Sequence, residues 1–356
     1  MNSFGHPSKR PPFQSPPRVK VGDRVAVLSP SWAGPGAFPD VHERSMRALR
    51  DQLGLEPVEY ATTREVGASA RDRARDLMAA FSDPSIGAVM ASIGGSDQLT
   101  VLPYLDPDVL LANPKRFLGY SDNTNLLNYL WNLGIVSYHG GSTMAHLARP
   151  GGTHPLSLDS LKKALFTNDT VQILPVERFT DLEADWSDIS TLEEELATTP
   201  DPGWHWHNSG TIVSGHTWGG NLEILHWNLA ANRWIRPVED YEGCILILET
   251  SEELPSPRDV YFMLRNFGER GLLQQFPALV VAKAKAWNRE SRPDERARQA
   301  YREEQRDAVL RALDEYNPGA LAVFGPDVGH TDPQLILPYG GPMLVDGHSQ
   351  RLVVTY

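Results

Sequence analysis

The chain has a single cysteine, Cys244, among its 356 residues. One thiol excludes an internal disulfide framework and a cysteine-based zinc cluster. Cys244 lies in the apolar run CILIL and reads as a buried strand residue, not a nucleophile. Long apolar runs are also missing. None approaches the roughly 18 residues needed to span a bilayer, so no membrane segment is expected. The opening MNSFGHPSKRPPFQSPPRVK has no apolar core of a secretory signal and reads as a disordered basic leader. Positive charge is scarce: 33 Lys and Arg against 45 Asp and Glu give a formal net charge of −12. The basic footprint of a nucleic-acid binder is therefore absent. Neither G-x-G-x-x-G nor G-x-x-x-x-G-K-[ST] occurs, and neither does HExxH or a comparable metal spacing. No cofactor and no catalytic metal are expected. Together these features point to a cytoplasmic protein.

What is present is the mixture of a packed globular protein, 41% hydrophobic and 22% charged, long enough for two domains. From residue 24 short apolar runs alternate with helical patterns. RVAVLSP predicts a buried strand, and VHERSMRALRDQLG a helix with Val41, Met46, Leu49 and Leu53 on one side. IGAVMASIGG predicts a strand broken by two glycines. RFLGY predicts another, followed by the helix NTNLLNYLWNLG. Strands alternating with helices give an α/β fold with a parallel sheet, whose sites form at the carboxyl ends of strands. The loops after Ile93 and Tyr120 are thus the places to search.

The expected organisation is a leader over 1–20, an N-terminal α/β domain over 21–165, a linker over 166–208 and a C-terminal domain over 209–356. The linker carries DLEADWSDISTLEEELATTPDP, eight acids with no Lys or Arg, and reads as solvated. The second domain offers the strands TIVSGHT, GCILILE, ALVVAKA and ALAVF, with helices near 257–270 and 294–316. Its ending, LILPYGGPMLVDGHSQRLVVTY, reads as a small antiparallel meander. The charged stretch DERARQAYREEQRDAVL reads as a solvated helix face.

Four short segments could carry chemistry. In GYSDNTNLL, Ser121 falls in the turn between a strand and a helix. Such a turn exposes a hydroxyl and aims backbone N–H groups at it. The Asp122 amide stands at the helix's positive end, where an oxyanion would be stabilised. The full G-x-S-x-G elbow is absent, since Asn123 replaces its second glycine, and on this motif alone Ser121 or Asp122 reads more readily as an N-cap. In ASIGGSD the double glycine permits close approach to the backbone, and Gly95 could supply a second oxyanion amide. In LILETSEE, Glu249 is the first charge after an apolar strand and is suited to orienting an imidazole. Glu252 and Glu253 read as exposed. In FGPDVGHTDPQLILPYGG, His330 follows a glycine in a loop after a strand. His139, His146, His216 and His226 are its competitors.

GYSDNTNLL, SGHTWGGNLEIL, LILETSEE and DVGHTDPQLILPYGG, in that order over residues 20–350, resemble the LD-carboxypeptidase family of serine peptidases, in particular its branch around the microcin C immunity peptidase. The resemblance implies a Rossmann-like N-terminal domain, a smaller mixed α/β C-terminal domain with a β-rich end, and a homodimer. It further implies a nucleophile at Ser121, an orienting acid at Glu249, a base at His330 and an oxyanion hole from Gly95 and Asp122. An aromatic of the interdomain segment, here Trp186, would stack on a substrate nucleobase. Ser96 and Asn221 are the guesses for groups that bind the substrate carboxylate. The implied substrate is a small peptide or peptide-nucleotide, with murein tetrapeptide as the alternative. A non-catalytic small-molecule binding protein is the competing reading from another class, and a nucleotide-dependent oxidoreductase the third.

Overall fold

Six strands build the first sheet of the computed structural model, which describes residues 11–356. In spatial order they are Leu337–Tyr339, Ser137–His139, Arg116–Gly119, Ile86–Ala91, Arg24–Leu28 and Glu56–Glu59. The last five pair in parallel, as the strand–helix alternation predicts. The chain winds from the central strand Arg24–Leu28 to one edge, then returns to its other side at Ile86–Ala91. That reversal opens a crevice between the loops following these two strands. The loop SPSWA leaves the first strand and SIGGSD leaves the second.

The second sheet has eight strands. Its centre is parallel: Ile212–Asn221, Ile245–Glu249, Ala278–Val281 and Leu321–Phe324. Pro342–Asp346 and Arg351–Thr355 add antiparallel strands at one side. The strand Ile245–Glu249 is buried along its whole length, which explains its unbroken apolar run.

Four local expectations change. Residues 11–20, part of the expected leader, pack on the first domain. Gln14 N donates to Gly134 O at 2.8 Å, and the Phe13 ring lies 5.6 Å from that of Trp131. Residues 1–10 of that leader lie outside the described residues. Asp181, in the segment expected to be solvated, is 1% exposed. Its carboxylate accepts from Arg298 at 2.6 Å and from Arg302 at 2.5 Å, both on the helix Glu295–Tyr316. That helix is therefore not merely a solvated face: two of its arginines offset the desolvation of Asp181. Thr170–Ile173 and His205–His207, from the same stretch, complete the two edges of the second sheet. Finally, the C-terminal meander splits. Leu337–Tyr339 joins the first sheet, pairing antiparallel with Ser137–His139. This crossing ties the loop that carries His330 to both domains.

Candidate functional site

Ser121 follows the strand Arg116–Gly119 and Tyr120, and precedes the helix Thr124–Asn132. Its φ is +60°, the left-handed region that a side chain seldom occupies. Such strain persists only where surrounding structure holds it, and here the holding groups are visible. Asp122 is 1% exposed, and burial pushes its carboxyl pKa up. It accepts from Gln98 N at 2.9 Å, from Asn125 Nδ2 at 2.8 Å, and from Ser31 Oγ. Asn123 Nδ2 donates to Ile93 O and Tyr120 O, each at 3.1 Å. Asn123 thus fastens the serine turn to the neighbouring glycine loop where the elbow pattern would have a glycine. Neither Ser121 nor Asp122 caps the helix through its side chain.

The glycine loop is pressed against the serine. A Cβ at Gly94 would lie 2.9 Å from Ser121 Cβ, 3.0 Å from its Oγ and 3.5 Å from Asp122 N. Gly94→Ala is accordingly expected to push the serine turn aside. A displacement near 1 Å costs about a hundredfold in rate, so kcat should fall by that order while the protein stays folded. Turnover close to the parent's would show that the contact does not set the hydroxyl's position.

Glu249 ends its buried strand and is 2% exposed. A Cβ at Gly329 would lie 2.9 Å from Glu249 Cβ and 3.0 Å from Ala282 Cβ, so only glycine lets the loop settle there. The next residue, His330, reaches Glu249 Oε2 with Nδ1 at 2.5 Å. Of the competing histidines, His139 bonds Val328 O and His146 bonds Ser142 O, and burial pushes both pKa values down. His216 bonds Gly340 O and His226 lies by Asn266. His330 is the histidine whose ring nitrogen meets a buried carboxylate. Burial opposes its charge, but Glu249 and then Glu252 outweigh burial and raise its pKa to about 10.

Ser121, Gly95, Trp186 and His330 line one cavity of about 520 Å³, at the crevice the sheet reversal opens. Tyr120, the residue before Ser121, lines the same cavity, and its ring centroid is 4.8 Å from that of His330. Ser121 Oγ has no hydrogen bond among the described residues. His330 Nε2 instead lies 3.1 Å from Glu252 Oε2. The carboxylate read as simply exposed therefore sits on the nitrogen expected to face the serine.

The two guesses for carboxylate binding do not reach the cavity. Ser96 is exposed outside its lining. Asn221 is buried as the N-cap of Leu222–Ala231, its Oδ1 accepting from Ile224 N at 3.0 Å. The cations lining the cavity are Arg149, Lys285 and Arg289, none of them singled out by the sequence. Trp186 does reach it, set edge-on to Phe38 at 5.6 Å, with Trp32 a further 6.0 Å from Phe38. No helix of the described residues is long and apolar enough to cross a membrane.

Comparison with known proteins agrees with the fold. Residues 25–140 match the LD-carboxypeptidase N-terminal domain and residues 214–345 the C-terminal domain of the same family. The microcin C7 self-immunity protein of Escherichia coli is 25% identical over 296 residues, 80% of this chain and 78% of that protein. A Bacillus subtilis protein named "Probable murein peptide carboxypeptidase" is 25% identical over 95% of this chain and 93% of its own length. A solved microcin-immunity-like protein of Streptococcus pneumoniae, in complex with AMP, superposes with a TM-score of 0.81. It is 26% identical and covers 94% of this chain and 99% of that one.

Proposed function

Because the chain belongs to the LD-carboxypeptidase family of serine peptidases, we propose that it hydrolyses a microcin C-like peptide-nucleotide or an aminoacyl-adenylate analogue, through an acyl-enzyme on Ser121. The observation that carries this reading is the contact of His330 Nδ1 with the buried Glu249, at a histidine that lines the same cavity as Ser121 and an aromatic wall.

The chemistry follows from the geometry. A serine hydroxyl is a poor nucleophile until a base takes its proton. With Nδ1 committed to Glu249, Nε2 of His330 is the acceptor. Ser121 Oγ attacks the scissile carbonyl, and the oxyanion meets the amides of Gly95 and Asp122. His330 then protonates the leaving nitrogen, and water repeats the sequence on the acyl-enzyme. The charge on the imidazolium is balanced by Glu249 throughout. Of the cavity cations Arg289 is the most exposed, at 42%, and it is our candidate for the anionic end of the substrate. We further propose a cytoplasmic homodimer, supported by the family resemblance and the lone Cys244; light scattering reads the assembly directly.

Murein tetrapeptide is the second reading, favoured by the Bacillus subtilis relative's name. The aromatic wall of Trp32, Phe38 and Trp186 separates the two, because a tetrapeptide has no base to lay against it. The enzyme should release an acidic or small amino acid from an aminoacyl-sulfamoyl adenosine faster than D-alanine from tetrapeptide. Stacking of a base on an aromatic face contributes on the order of 1–3 kcal/mol, so Trp186→Ala should raise KM for the nucleotide about tenfold or more. Its effect on tetrapeptide should be slight. Cleavage of tetrapeptide alone, or equal losses on both substrates, would move the chain to murein recycling.

A further inference from the structure

The acids lining the cavity are of two kinds. Asp332 is held by Arg149 at 2.5 Å, Glu183 by Lys285 at 3.1 Å, and Asp185 by Arg289. Glu252 has no Lys or Arg within ion-pair distance among the described residues; its one charged partner is His330 Nε2 at 3.1 Å. That nitrogen is the one the serine mechanism needs free. While it donates to Glu252 it carries a proton, and a protonated ring cannot accept another from Ser121.

The surroundings let the carboxylate leave without the backbone moving. Asn288 Nδ2 donates to Glu252 O at 2.8 Å. Glu223 accepts from Ser251 N at 2.9 Å and from Ser251 Oγ at 2.7 Å, fixing the turn just before it. The Glu252 side chain itself is 48% exposed, against 7% for His330 and 0% for Glu249. A rotamer change at one residue would therefore open Nε2. What opposes it is charge: a carboxylate moved off its only cation needs another.

We propose that Glu252 is a specificity residue that occupies His330 Nε2 in the empty cavity and transfers to a substrate ammonium beside the scissile carbonyl. The proposal rests on the serine-hydrolase reading and narrows it to the aminoacyl-nucleotide class, an amide whose acyl residue carries a free amine, against a peptide-nucleotide, whose corresponding nitrogen is acylated. An ammonium of that kind replaces the imidazole as the partner of Glu252, the Nε2 proton passes to water, and the freed nitrogen can then accept from Ser121. An N-acylated analogue offers no such charge and leaves the base blocked. The other titratable groups around His330 cannot substitute. Burial pushes His139 and His146 toward neutrality and keeps Tyr120 protonated, while Lys285, Glu183 and Asp332 are already ion-paired.

Two arms test this on the full chain. The first uses an alkyl fluorophosphonate, whose labelling does not depend on the substrate class. Ser121 Oγ bonds to phosphorus, fluoride departs, and the serine proton passes to His330 Nε2. Glu252→Gln removes one carboxylate from the imidazole, so the acid limb of the labelling rate should move to lower pH. At pH 7 labelling should be at least about tenfold faster than in the parent, the free-energy equivalent of about one pKa unit. The second arm compares alanyl-sulfamoyl adenosine with its N-acetyl form. The parent should favour the free amine by about tenfold or more in kcat/KM, and Glu252→Gln should lose that preference. An unmoved acid limb overturns the proposal, as do equal rates on both nucleotides in the parent or a preference that the variant keeps. Labelling without cleavage of either nucleotide also overturns it while leaving the serine chemistry in place. No labelling of Ser121 at all sinks the serine reading itself.

Discussion

Ser121→Ala is expected to lower kcat by about four to six orders of magnitude while leaving the melting temperature within a few degrees of the parent. The size follows from the role: with the nucleophile gone, His330 has no hydroxyl to activate, and residual rate comes only from substrate positioning and the oxyanion amides. The unchanged stability follows from the structure. Ser121 Oγ has no hydrogen bond among the described residues, so its removal orphans no partner. The strained turn at φ +60° is held by the side chains of Asp122 and Asn123, which the substitution leaves in place. Alanine tolerates that backbone about as well as serine does. Mass spectrometry with the fluorophosphonate gives the matching control, labelling the parent once and the variant not at all. A Ser121→Ala protein that turns over near the parent's rate would end the triad reading, whatever its fold.

The positions of Ser121, Glu249 and His330 at or after the ends of buried strands were legible in the sequence for a common physical reason. Each is a polar residue placed where a buried apolar strand gives way to a turn. The runs before them, RFLG, ILIL and LAVF, are buried throughout. The glycine before His330 carried real information as well, because that backbone rests on Glu249 Cβ. The acidic stretch was read for its own charge alone, yet Asp181 finds its partners 117 and 121 residues later in the chain. The arginine-rich helix hides its role for the same reason, since Arg298 and Arg302 meet Asp181 only in the folded chain. Composition counts charges, and only the fold says which of them meet. Glu252 illustrates the limit further: its place on His330 Nε2 depends on a rotamer, which no spacing rule encodes. The aromatic wall joins Trp32 and Phe38 from the first sheet's loop with Trp186 from the interdomain stretch, and the sequence pointed to Trp186 alone.

Glu249→Gln should produce the second large loss, about three to four orders of magnitude in kcat, of the kind seen when the orienting acid of a serine triad becomes an amide. The cause is the tautomer. A carboxylate at 2.5 Å can only accept, so it holds the proton on His330 Nδ1 and leaves Nε2 to receive the serine's proton. A glutamine amide can donate to Nδ1 instead, which places the ring proton on Nε2, where it blocks the reaction. The same pair leaves a signature in stability. His330 has its pKa raised to about 10, above the ordinary value near 6.5, so the folded state binds the proton more tightly than the unfolded chain does. That contribution is fully present below about pH 6.5 and is lost as the pH rises through about 10. The parent's melting temperature should therefore fall across this window, and the fall should be shallower in Glu249→Gln, whose imidazole keeps only Glu252. Melting curves at half-unit steps of pH, run beside kcat on the same preparations, read both effects. A variant that retains turnover within about tenfold of the parent would remove Glu249 from the mechanism. Parallel melting profiles with a large kcat loss would confine its role to orienting the ring, because the charge coupling that raises the His330 pKa would then be coming from Glu252.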